Sequence, residues 1–161
     1  MKRPATAVRR KALDEPRIDF GELPSYVGYQ VRRAQAAIFT GLEAALREFD
    51  LTPGSFGVLA LIRANPGITQ VALAAAFGVD KSTMSPVIFR LEKRGLIRRE
   101  VLANDRRRHA LFFEPAAEAA FEAARERVRT FEGSVAARLS KAEQRELARL
   151  LVKLQGRPGT A

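Results

Sequence analysis

Apolar positions along this chain change their period several times, and each change predicts a new element. Val27, Val31, Ala34, Ile38, Leu42, Ala45 and Phe49 step by three or four residues, so one long helix is predicted from Pro24. Thr52-Pro53 signals the next start, with a hydroxyl at the N-cap and a proline in the first turn, where a missing N–H is harmless. Phe56, Leu59, Ala60 and Ile62 follow, and "NPG" (65–67) stops that helix. Thr69 caps a short third helix carrying Val71, Ala72, Ala75 and Ala76, which ends at Gly78. Asp80 caps a fourth, "KSTMSPVIFRLEKR", which ends at Gly95. Its apolar side is Met84, Val87, Ile88 and Leu91, leaving Ser82, Pro86, Phe89 and Lys93 outward.

Beyond Gly95 the pattern shortens. "LIRREVL" (96–102) and "ALFF" (110–113) flank the polar "ANDRRRH", which holds a turn-forming Asn104-Asp105, and together they predict a two-stranded hairpin. A long helix follows from Pro115, with Phe121, Ala124, Val128 and Phe131 on one side. Ser140-Lys141-Ala142-Glu143 is a capping box, and it opens a last helix with Leu147, Leu150, Leu151 and Leu154. No repeat or linker divides the chain. Residues 24–156 are expected to form one mainly α domain, between a basic tail (1–23) and a short C-terminal tail (157–161). The N-terminal tail is either solvated or an arm that touches phosphates, and the general disorder of termini favours the first.

Composition narrows the function. The chain has 161 residues, 47% of them apolar, which is enough for a real core. Its 28 lysines and arginines exceed its 18 acids, a net +10 that points to a polyanionic partner. A membrane is disfavoured, because the longest apolar run is "VALAAAF" (71–77) against the roughly 20 residues a span needs. No apolar stretch follows the N-terminal charges, so no secretory leader and a cytoplasmic location are expected. The chain has no cysteine, which removes disulfides, thiolate metal sites and thiol redox sensing. One histidine, His109, has no second histidine beside it, and no phosphate-binding glycine loop or zinc spacing occurs. An enzyme, a metal site and a cofactor are therefore not expected. His109 is read as a phosphate neighbour or as simply exposed.

Two short helices joined by "FGVD", with a hairpin directly after them, make a winged helix-turn-helix. A major groove is about 12 Å wide and accepts one helix. Residues 81–109 hold nine basic and three acidic side chains, a local +6. Cap, hydroxyls, stripe, glycine and basic hairpin stand in the order groove binding requires. Pro86 is the anomaly, since a proline in a helix interior costs about 3 kcal/mol. Two readings stand for it: a rigid apolar contact in the groove, against a thymine methyl, or a tolerated kink. Phe89 either touches DNA or packs under the wing, and packing is favoured.

"LTPGSFGVLALI" (51–62), "ITQVALAAAFGVDKSTMSPVIFRLEKRGLIRR" (68–99) and "NDRRRHALFF" (104–113) resemble the MarR family of bacterial winged-helix regulators. The resemblance runs over about residues 24–155, and "LEKRGLI…DRR" is its most specific part. It implies a homodimer whose first and last helices (about 25–49 and 115–155) interlock around DNA-binding lobes (about 52–113). It makes the fourth helix the recognition helix, with Lys81, Ser82, Thr83, Ser85, Pro86, Arg90 and Lys93 toward DNA. Asp105, Arg106, Arg107 and Arg108 become the wing, with Asp105 bracing the arginines and Arg106 or Arg107 entering the minor groove. The chain departs from the family where Glu114-Pro115-Ala116-Ala117 replaces a Thr-x-x-Gly helix start.

"YVGYQVRRAQAAIF" (26–39) is similar to the first helix of regulators of hydroxycinnamate and related aromatic-acid catabolism. The apolar first helix and the leucine-rich last helix point to a two-fold dimer on a double-stranded inverted-repeat operator, and the likeness implies repression relieved by a small aromatic acid or its coenzyme A thioester. The implied ligand residues are Tyr29, Arg32, Arg33, Phe39 and Phe56. Aromatics suit a ring slot, and arginines suit carboxylate or phosphate. The competing reading puts the aromatics in a dimer core and the arginines toward DNA or solvent. The rival function is a nucleoid-type or constitutive DNA-binding protein without an effector.

Overall fold

A computed structural model describes residues 18–102 and 105–156, the side chains of residues 102 and 105–108 excepted. Most of the N-terminal tail, the Ala103-Asn104 turn and residues 157–161 lie outside the described residues. Six helices are described: α1 (Val27–Leu46), α2 (Pro53–Ala64), α3 (Gln70–Phe77), α4 (Lys81–Lys93), α5 (Glu118–Ala136) and α6 (Lys141–Leu154). Three strands accompany them: β1 (Ile68–Thr69), β2 (Ile97–Leu102) and β3 (Asp105–Phe113).

The chain divides into two compact units, up to Ala34 and from Gln35 onward. In the first, a 3₁₀ turn at Leu23–Ser25 precedes α1, and Tyr26 adopts extended backbone between them. The helix predicted from Pro24 therefore begins at Val27. Gln30 Nε2 donates to the Pro24 carbonyl at 2.6 Å, and the Tyr26 hydroxyl donates to Glu22 at 2.9 Å. Ile18, Phe20, Leu23, Val27 and Val31 stay exposed.

The second unit holds the core. Leu46, Leu59, Ile62, Leu73, Ile88, Leu91 and Leu111 are its largest fully buried side chains, with Phe121 and Ala124 of α5 closing one side. Burying each leucine or isoleucine contributes about 1.5–3 kcal/mol. The caps form where hydroxyls and Asp80 predict them. Thr52, Thr69, Asp80 and Ser140 each accept the backbone N–H three residues on, and at Thr52 and Ser140 the return bond completes a capping box.

The hairpin differs from expectation in two respects. It is a three-stranded antiparallel sheet of order β1-β3-β2, with Ile68 opposite Leu111 and Thr69 opposite Ala110. Two residues cannot show a period, so β1 left no pattern to read. The polar run expected as a turn is largely strand, because β3 starts at Asp105. Backbone pairing of a solvated ribbon needs no apolar alternation. Pro115–Ala117 is a 3₁₀ turn, and α5 proper starts at Glu118.

α6 has no buried residue. It is held at its start, where Gln144 Nε2 donates to the carbonyls of Ala136 (2.7 Å) and Leu139 (3.0 Å). Leu147, Leu150, Leu151 and Leu154 form an exposed stripe along it.

Candidate nucleic-acid interface

Local bonds position α4. Gly78 takes a left-handed conformation (φ 65°) that ends α3, and Val79 N–H bonds back to the Ala74 carbonyl at 3.0 Å. Asp80 then starts α4. Its carboxylate accepts from the Ser82 hydroxyl at 2.6 Å and the Thr83 N–H at 2.7 Å. These bonds hold Asp80 below the usual carboxylate range, the Ser82 hydroxyl contributing most. Met84, Ile88 and Leu91 anchor the helix in the core.

The α4 side chains expected to face DNA, Lys81, Ser82, Thr83, Ser85, Pro86, Arg90 and Lys93, are all exposed. Lys81, Arg90 and Lys93 make no ion pair among the described residues. The helix runs unbroken through Pro86. Phe89 is a correction: it is 61% exposed and does not pack under the wing. It lies opposite the helix's buried side, where no core surface reaches it.

Ser85 has a structural task as well. Its hydroxyl donates to the Lys81 carbonyl at 2.9 Å and accepts from Gln70 Nε2 at 2.5 Å. Gln70 also donates to the Lys81 carbonyl at 3.1 Å, so the start of α3 is tied to the first turns of α4.

Part of the local positive charge is spent inside the fold. Arg99 pairs with Glu92 at 2.8 Å, fastening β2 to α4. Arg98 pairs with Glu100 at 2.9 Å and lies 4.7 Å from the Phe112 ring centroid. Arg94 donates to the carbonyls of Phe49 and Asp50. The run of arginines after α4 therefore overstates the cation offered to a partner. His109 is half-buried beside a recess lined also by Thr69, Gln70, Lys81 and Arg99. The side chains of Asp105, Arg106, Arg107 and Arg108 lie outside the described residues.

The five residues expected at a ligand have separate surroundings. Tyr29 has the Phe20 ring 6.3 Å away, centroid to centroid, and the Arg33 guanidinium 5.9 Å from its centroid. Arg32 and Phe39 are exposed. Phe56 stacks on Phe121 at 5.5 Å and packs against the core. Sequence reasoning missed a half-open recess of about 200 Å³ lined by Phe49, Leu51, Leu59, Leu96 and Phe121, with Glu48 and Arg94 as its charged members. It is assembled from four separate segments, so no single stretch announces it. Among the described residues no group of histidine and acidic side chains could hold a metal ion, and no helix is long and apolar enough to cross a membrane.

The MarR family profile matches residues 51–109. A protein of Thauera aromatica, described as a transcriptional regulatory protein for the hcr operon, is 36% identical over 135 residues, covering 83% of this chain and 81% of that one. The transcriptional repressor CouR bound to a 23-mer DNA duplex superposes with a TM-score of 0.80 at 30% identity, over 86% of this chain and 98% of that one. A MarR family protein of Mycobacterium tuberculosis in complex with p-aminosalicylic acid has a TM-score of 0.64 at 28% identity, over 81% of this chain and 98% of that one.

Proposed function

Because this chain belongs to the MarR family, and is thus a transcriptional regulator and not an enzyme, we propose that it is a homodimeric repressor released from its operator by an aromatic acid or its coenzyme A thioester. The observation that carries this reading is the outward side of α4. It offers Lys81, Ser82, Thr83, Ser85, Pro86, Arg90 and Lys93 together, on a helix whose other side is locked into the core. The wing residues Asp105, Arg106, Arg107 and Arg108 then follow on β3, where arginines neutralise phosphates.

The exposed leucine stripe of α6 supports the dimer, since a lone domain gains nothing by leaving it in water. A two-fold pair of recognition helices reads an inverted repeat with half-sites about 34 Å apart. The DNA-bound relative, 30% identical, supports the operator. The relative holding p-aminosalicylic acid supports an aromatic carboxylate as effector class. Tyr29, Arg32, Arg33, Phe39 and Phe56 are the residues assigned to it, aromatics for the ring and arginines for carboxylate or phosphates. To move operator occupancy from 99:1 to 1:99, an effector must favour the non-binding form by about 5.5 kcal/mol.

Selection from randomised duplexes, followed by sedimentation of the complex, tests the reading. One inverted repeat and two protomers per duplex are expected. Equal affinity for selected and random DNA, or a monomer that binds the operator tightly, defeats it. Titration of the complex with aromatic acids, their thioesters and coenzyme A alone tests the effector. Release by none of them, with Arg32→Ala indistinguishable from wild type, removes that part.

A further inference from the structure

The outermost strip of α4 is half apolar. Ser82, Pro86, Phe89 and Lys93 recur at spacings of four, three and four, which places them along one line of the helix. That line runs opposite Met84, Ile88 and Leu91, the three buried residues of α4. Its middle is Pro86 and Phe89, both exposed, and the phenylalanine keeps 61% of its surface in water. Neither side chain has a hydrogen-bonding group.

Charge identifies the partner for this strip. Lys81, Arg90 and Lys93 lie around Pro86 and Phe89, all exposed and none in an ion pair among the described residues. An apolar protein surface seated here would strip water from those cations without compensation, whereas a nucleic-acid groove supplies phosphates on both sides. In the major groove one base carries an apolar group on its edge: thymine, through its C5-methyl.

We propose that Phe89, with Pro86 one turn before it, is a specificity-determining contact that selects thymine at adjacent base pairs through the C5-methyl groups. This rests on the reading that α4 enters the major groove. Proline suits the task because its ring is rigid and it offers no side-chain donor that a purine edge could accept. The phenyl ring supplies a broad face that covers a methyl without choosing between hydrogen-bonding patterns. The discrimination is therefore by shape and burial, while Ser82, Arg90 and Lys93 remain for polar contacts along the same groove. Phe89 packs on nothing in the core, so replacing it leaves the folded protein intact.

The test works first on the DNA, with the full-length wild-type protein. An operator is obtained by selection from randomised duplexes, and each thymine is replaced in turn by deoxyuridine, which removes the C5-methyl alone. Replacement at one or two positions per half-site is expected to weaken binding about three- to tenfold, from one lost methyl contact to the low end of the cost of a mismatched base pair. Phe89→Ala is then expected to bind thymine and uracil duplexes alike at those positions, with unchanged thermal stability, while Phe89→Leu keeps part of the difference. A wild-type protein that selects one sequence but ignores every uracil overturns this inference and leaves the recognition-helix reading standing. Uracil sensitivity that persists in both Phe89→Ala and Pro86→Ala overturns the assignment to these residues. Absence of any selected sequence overturns both together.

Discussion

The guanidinium of Arg94, at the end of α4, donates to the carbonyl of Phe49 at 2.8 Å. Its second terminal nitrogen reaches the carbonyl of Asp50. Asp50 is the one non-glycine residue with positive φ (52°) among the described residues, and it closes the 3₁₀ turn that ends α1. One side chain thus fastens the end of α4 to the end of the first helix. The recess beside it shares Phe49 and Arg94 as walls. The α1 terminus and α4 are thus joined by direct hydrogen bonds as well as through the buried Leu46.

Arg94→Ala is expected to lower stability by about 1.5–3 kcal/mol, the range for a hydrogen bond to a charged group. It should also weaken operator binding while leaving the selected sequence unaltered. Urea unfolding and a repeated selection measure the two effects. A changed consensus sequence would show instead that Arg94 reads bases.

Acid should loosen the start of α4. Asp80 is held below the usual carboxylate range, chiefly by the Ser82 hydroxyl and then by the Thr83 N–H. A group depressed in the folded state contributes fully above its unfolded value, about 3.9, and its contribution fades as pH falls through the folded value. Stability of wild type should therefore drop below about pH 4 more steeply than that of Asp80→Asn, with parallel curves from pH 5 to 7. Equal slopes in acid would mean that the cap carries no proton linkage.

A side chain at Gly41 has no room. A Cβ there would lie 2.3 and 2.6 Å from two ring carbons of Phe131, where α1 crosses α5. Gly41→Ala should destabilise by about 1–3 kcal/mol, as overpacking does. In a Phe131→Ala background the same change should stabilise by about 0.5–1 kcal/mol, because alanine is the better helix former. The sign reversal is the measurement, read from the four corners of a denaturation cycle.

Wing and helix should separate by salt. Arg106→Ala or Arg107→Ala is expected to weaken binding to many sequences alike and to flatten the salt dependence by roughly one unit per lost phosphate contact. Ser85→Ala is expected to shift base preference, by about 1–3 kcal/mol at one or two positions. It should also loosen α3 from α4, since Gln70 loses one of its two acceptors there and keeps only the Lys81 carbonyl. Fluorescence titrations across a salt series distinguish the two classes.

The order of elements was legible because its signals are local. Thr52, Thr69, Asp80 and Ser140 each act on an N–H three residues away, so residue type and position suffice. The buried side of α4 was legible because Met84, Ile88 and Leu91 obey one period. What escaped depends on distant partners. Ile68–Thr69 becomes a strand only because β3 lies beside it. Arg98 and Arg99 count as free charges until Glu114 and Glu92 are found next to them. Phe89 was assigned to packing because a phenylalanine usually finds some, and nothing in its neighbours along the chain says that the wing leaves it open.

α6 carries a consequence for the lifetime of the protein. A lone helix of 14 residues is marginal in water, and this one buries no residue within its own protomer. α6 on its own therefore frays readily, with Leu147, Leu150, Leu151 and Leu154 open to any protease or chaperone that recognises loose apolar chain. In the proposed dimer, pairing through α6 would cover that stripe. The proposed dimer would on that account be the longer-lived form of the protein.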